Sequence, residues 1–112
     1  MKNHIRKDIK DDVTPEMRAA IKKVAPYRLL ERGMKSRRMT GKAEIFLLIN
    51  RHPEGRMTVS QIAADLDKTL PYISQTLKSM REDGVVEMTS IKTAHYHHLS
   101  ERSKAWWTSF KR

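Results

Sequence analysis

The chain has 112 residues, enough for one well-packed domain and too few for two. Its 23 Lys and Arg against 13 Asp and Glu leave a formal charge of +10, which attracts polyanions and puts nucleic acid first among expected partners. Cysteine is absent, so disulfides, thiolate metal sites and cysteine nucleophiles are excluded. Met1 to Asp12 lacks the apolar stretch of a secretory signal and no run is long enough to span a bilayer, so the expectation is a cytoplasmic protein with no membrane partner.

Charge is uneven. Residues 1–39 hold twelve basic and five acidic side chains, and residues 40–112 hold eleven and eight. Residues 1–13 show no apolar period and read as a mobile charged arm. Thr14, Pro15 and Glu16 form a helix-start signal, and the spacing predicts a helix to about Arg32 that Gly33 ends and Pro26 kinks or splits. Met17, Ala20, Ile21, Val24 and Leu29 keep a helical stripe on either side of Pro26. Residues 14–38 are therefore an N-terminal helical segment, a candidate for dimerisation.

Thr40 is the next candidate cap, and Ile45, Phe46, Leu47, Leu48 and Ile49 place the following helix at the centre of the core. His52, Pro53, Glu54 and Gly55 read as a loop. Thr58 with Gln61 makes a capping box for a two-turn helix bearing Ile62, Ala63 and Leu66. Asp67 and Lys68 form a tight connection in which Asp tolerates a left-handed backbone. Thr69 then caps a helix to about Asp83, with Gly84 as its stop. Val85–Thr89 and Ala94–Leu99 read as two strands of a hairpin joined by Ser90, Ile91, Lys92 and Thr93. Ser100 caps a last helix, Glu101 to about Phe110.

The fold class is thus mainly α with a small β-hairpin. The third and fourth helices, joined by a tight turn, form a helix-turn-helix, in which the second helix enters the major groove of DNA. At 100° per residue Ile73, Leu77 and Met80 cluster on one side of Thr69–Asp83, Pro71, Gln75, Lys78 and Glu82 lie opposite, and Tyr72, Ser74 and Ser79 flank them. Gln75 has the amide geometry to read an adenine edge, Lys78 suits a phosphate or guanine, and Tyr72 and Ser74 suit phosphate oxygens. Thr69, Pro71 and Ser79 complete the candidate DNA-facing set on this helix. Arg37 and Arg38, in the basic run before the second helix, and Lys92 at the hairpin tip are candidates for phosphate contact.

The stretch from Met39 to Met88, MTGKAEIFLLINRHPEGRMTVSQIAADLDKTLPYISQTLKSMREDGVVEM, resembles the DNA-binding core of the MarR family of winged helix-turn-helix transcription regulators. The resemblance implies that Thr58–Leu66 supports, Thr69–Asp83 is the recognition helix, and the hairpin is a wing reaching an adjacent minor groove. The short wing, with tip Thr89–Thr93 and strand HYHHLS, is more similar to the ArsR family. Only thirteen residues follow from Ser100, where MarR-type proteins carry two long dimerisation helices, so a dimer interface is expected to be built differently. Residues 39–99 are accordingly the winged helix-turn-helix and 100–112 a C-terminal helix.

That last helix carries Trp106, Trp107 and Phe110. Trp106 and Phe110 share a side and Trp107 lies about 100° away, so one ring set can meet the core and another a partner, with homodimerisation as the expectation. His95, His97 and His98 suggest a metal, and His4 or His52 could complete a site. On a strand, however, His95 and His97 share one face while His98 points to the other, and packed or half-exposed rings are the stronger reading. No metal and no cofactor are expected. A small-molecule effector is compatible with the sequence and not identified by it. No phosphate-binding Gly loop, spaced carboxylate pair or serine nucleophile motif supports an enzyme. The reading is a sequence-specific double-stranded DNA-binding regulator. Its alternatives are a winged-helix protein for plasmid or phage replication or partition, and a winged-helix protein-interaction module.

Overall fold

The structure is a computed structural model that describes residues 14–111. The arm assigned to residues 1–13, and His4 with it, lie outside the described residues. Five helices and three strands follow in the order α1 (Pro15–Lys35), α2 (Gly41–Arg51), β1 (Arg56–Met57), α3 (Val59–Leu66), α4 (Leu70–Glu82), β2 (Val86–Ile91), β3 (Ala94–Leu99) and α5 (Glu101–Phe110).

Each of the five described helices begins on a hydroxyl that accepts an otherwise orphaned backbone N–H: Thr14 from Met17, Thr40 from Ala43, Thr58 from Gln61, Thr69 from Tyr72 and Ser100 from Ser103. At Thr58 the box closes both ways, with Gln61 Oε1 accepting from the Thr58 N–H at 2.9 Å. Two helices end in Schellman motifs. For α3, Lys68 N donates to Ala63 O and Asp67 N to Ala64 O, with Asp67 left-handed at φ 54°. For α4, Val85 N donates to Met80 O and Gly84 N to Arg81 O, with Gly84 at φ 74°.

Two expectations for α1 are corrected. Pro26 does not split it: the helix is continuous from Pro15 to Lys35. The carbonyl that Pro26 cannot serve belongs to Lys22 on an exposed turn, where water can satisfy it. Gly33 lies inside the helix and does not end it. A Cβ there would collide with the Thr40 side chain, so Gly33 sets the close approach of α1 to the start of α2.

The sheet has three antiparallel strands in the order β1-β3-β2, where two had been expected. Met57 pairs with His97 and Arg56 with His98, and two residues are too few to show an alternating pattern in sequence. The β2–β3 ladder runs from Val86↔Leu99 to Ile91↔Ala94, so Ser90 and Ile91 belong to the strand and only Lys92 and Thr93 turn the chain. Lys92 takes φ 57° to do so.

One core joins all layers: Tyr27 and Leu30 from α1, Ile45, Phe46 and Ile49 from α2, Ile62 and Ala63 from α3, Ile73, Leu77 and Met80 from α4, with Met57, Val86 and Leu99 from the sheet. At about 25 cal/mol per Å² of apolar surface removed from water, this is the main stabilising term. Phe46 is its aromatic centre, with Trp106 edge-on at 5.5 Å and Trp107 at 5.9 Å.

Candidate nucleic-acid interface

The inner face of α4 is locked. Ile73 and Leu77 are fully buried and Met80 nearly so, which leaves Pro71, Tyr72, Ser74, Gln75, Lys78 and Glu82 exposed on the other side. Thr69 is exposed at the N-cap, while Ser79 and Thr76 sit half-buried at the flanks, Thr76 donating its hydroxyl to Tyr72 O at 2.8 Å. The tight turn through left-handed Asp67 sets α3 behind this helix. The outward face therefore carries an amide, an ammonium and a hydroxyl, donors and acceptors suited to base edges and phosphates.

Tyr72 reaches back to the start of α2. A Cβ on Gly41 would collide with the Tyr72 hydroxyl, so glycine at that position is what admits the ring. This brings the N-terminus of α4 towards the loop that carries Arg37 and Arg38, both exposed. Lys68 adds a cation 6.0 Å from the centre of the same ring. Gly41 was not singled out from the sequence and Lys68 was read only as part of the tight connection, because a helix-start Gly carries no signal that a distant Tyr will cover it.

A part-buried pair ties the wing to α4. Arg81 Nη1 lies 2.6 Å from His97 Nε2, and His97 is 1% exposed. Arginine can only donate, so the ring accepts at Nε2 and carries its proton on Nδ1, which has no partner among the described residues. Burial first, and the Arg81 charge second, lower the His97 pKa from 6.5 to about 4, keeping the ring neutral near neutral pH. Arg81 was missed in the sequence because it lies at the edge of the apolar stripe. At the wing itself, Ser90 Oγ meets His95 Nδ1 at 2.8 Å and Thr89 Oγ1 meets His98 Nε2 at 3.0 Å, while Lys92 is exposed at the tip. The three histidines thus serve three separate contacts. Among the described residues no group of three or more His, Cys, Asp or Glu side chains is placed to hold a metal ion.

Trp106, Trp107 and Phe110 do not join this face. Trp106 packs on Tyr27 at 5.2 Å and stacks on Phe110 at 4.9 Å, and all three rings are half-buried.

Residues 41–88 match the family model described as bacterial regulatory protein, arsR family. The match covers α2 through the first half of β2 and so includes the elements that build the polar face. Among solved structures, the chain is similar to the homodimeric winged helix-turn-helix DNA-binding domain of Mb0332 from Mycobacterium bovis, described as a possible ArsR-family transcriptional regulator. That pair is 19% identical with a TM-score of 0.65, over 89% of this chain and 85% of that one. The fold is a winged helix-turn-helix. NolR from Sinorhizobium fredii shares it at 15% identity and TM-score 0.59, over 88% and 91% of the two chains. So does S. aureus MepR bound to an oligodeoxyribonucleotide, at 15% identity and TM-score 0.54, over 99% and 77%. A comparison with curated protein sequences gives no match. Among the described residues, no helix is long and apolar enough to cross a membrane.

Proposed function

We propose that the chain is a sequence-specific transcription regulator that binds double-stranded DNA as a homodimer. The observation that carries this reading is the division of α4, locked inward by Ile73, Leu77 and Met80 and outwardly furnished with Ser74, Gln75 and Lys78. The match of residues 41–88 to an arsR-family model supports it, as does the net charge of +10. In this reading Gln75 pairs with a base edge in the major groove, Lys78 with a guanine or phosphate, and Thr69, Pro71, Tyr72, Ser74 and Ser79 line the approach. Arg37, Arg38 and Lys92 hold the flanking phosphates. The work is recognition, not catalysis, and takes place in the cytoplasm, where the DNA is.

The dimer reading rests on α1. Its residues from Pro15 to Ala25 are all exposed, and Met17, Ile21 and Val24 stand 53%, 62% and 45% open on one face. A helical half with so little cover is marginal alone, and a second copy supplies what the protomer lacks. The homodimeric state of the Mb0332 domain supports this. Trp106 and Phe110 brace α1 from within the protomer, Trp107 packs on Phe46, and all three offer their open edges to the partner. Assembly through α1 and α5 is the part of the MarR-like expectation retained here, while the helix-turn-helix itself is ArsR-like.

Selecting bound duplexes from a random pool tests the whole reading. A pseudo-palindrome is expected, with half-sites about 34 Å apart. A pool without enrichment, or a protein that sediments as a monomer at micromolar concentration both free and on DNA, overturns it.

A further inference from the structure

The residues that close α4, Asp83 to Val85, are held from behind. Helix C-termini leave carbonyls without intrahelical partners, and here the start of α5 takes the three that follow the recognition helix. Asp83 O accepts from Arg102 Nη2 at 3.1 Å, Gly84 O from Ser100 Oγ at 2.8 Å, and Val85 O from Ser103 Oγ at 2.6 Å and Ser100 N at 3.1 Å. Behind these lies a buried phenol. Tyr27 Oη is 2.9 Å from Ser103 Oγ and 3.4 Å from Arg102 Nε.

Each hydroxyl has one proton, and that fixes the direction of the chain. The Val85 carbonyl can only accept, so Ser103 gives its proton there. Tyr27 must then donate to Ser103, and its oxygen is left to accept from Arg102. The bonds run one way, from the Arg102 guanidinium through Tyr27 and Ser103 to the Val85 carbonyl, and each donor polarises the next. The guanidinium also lies where a helix C-terminus favours positive charge.

Tyr27 belongs to α1, the helix whose N-terminal half carries the open Met17, Ile21 and Val24 face. We propose that Tyr27 is a positioning residue that transmits the setting of α1, fixed by a second copy, to the C-terminal end of the recognition helix. Dimerisation and DNA binding are then coupled through a buried hydroxyl chain. This rests on the DNA-binding dimer reading above. It adds that the two interfaces share free energy at Tyr27, which is buried within the protomer.

Tyr27→Phe removes one oxygen and keeps the ring against Trp106. The dimer dissociation constant is measured by sedimentation, free and with a duplex of about 30 base pairs carrying the site that the wild type selects. Hydrogen exchange is followed at the Gly84 and Val85 amides, which close the end of α4. The free dimer constant should stay within about twofold. The DNA-bound dimer loses the Tyr27 link in both copies, so DNA affinity should fall about tenfold or more, and exchange at the two amides of each protomer should quicken about tenfold. Ser103→Ala should reproduce both changes, and the double variant should add little, because the two groups act as one chain. Ser103→Ala also carries the test if Tyr27→Phe does not fold. Unchanged exchange and unchanged coupling, or effects that simply add, overturn the proposal. A wild type that neither dimerises nor binds DNA defeats the functional reading instead.

Discussion

Helices α1 and α4 each leave one long face uncovered, and the chemistry of the two faces is opposite. On α4 the open face is Pro71, Tyr72, Ser74, Gln75, Lys78 and Glu82, mostly groups that water solvates at little cost and that DNA can engage specifically. On α1 it is Met17, Ile21 and Val24, surface that water penalises and that only another apolar face relieves. Under the proposed function the contrast matches each face with its partner: a polyanion for the first, a second copy of the chain for the second. It also predicts how each contact responds to salt and pH.

The sharpest way to break the contrast is at α1. Ile21→Glu places a charge on the open stripe and is felt once from each copy, so the dimer dissociation constant should rise about a hundredfold or more by sedimentation. Protomer stability should hardly change, since Ile21 is outside the core. An unaltered dimer would show that the stripe is not the interface.

The second effect separates the helices by pH. The His97 ring that accepts from Arg81 has its pKa lowered to about 4, below the ordinary 6.5. Above pH 6.5 both folded and unfolded chains hold it neutral and its full contribution is present. As pH falls from 6.5 towards 4, the unfolded chain takes up a proton that the folded one refuses, and stability should drop by up to about 3 kcal/mol. Urea unfolding across that range measures the slope, and His97→Gln, which keeps an acceptor and cannot titrate, should flatten it. The apolar stripe of α1 contains no titrating group, so dimerisation of the folded protein should respond far less.

The smallest effects divide the polar face itself. Gln75→Ala should cost about 1–3 kcal/mol on the selected site and almost nothing on random duplex. Lys92→Ala and Arg37→Ala should weaken both duplexes alike and lower the salt dependence by about one unit of slope each. Affinities of the variants on both duplexes across a salt series give the answer. The reverse pattern would mean that α4 does not lie in the major groove.

Much of this was legible in the chain because it is local. Thr14, Thr40, Thr58, Thr69 and Ser100 were each identified as a helix start, since a cap needs only its own next three residues. Asp67 and Gly84 marked their turns by backbone preference alone. The Ile73, Leu77, Met80 stripe, and so the opposite set with Gln75 and Lys78, followed from helical period.

What the tertiary structure decided is each contact between residues far apart in sequence. Gly33 carries the same local signal as a helix stop, and only its closeness to Thr40 shows that it is a packing site. Strand β1 exists because β3 offers it an edge, not because Arg56 and Met57 favour extension. The Arg81–His97 pair and the Arg102–Tyr27–Ser103–Val85 chain join residues 16 to 76 positions apart. Periodicity and propensity act over one or two turns of chain, whereas these bonds form only once the core has brought the elements together and excluded water from between them.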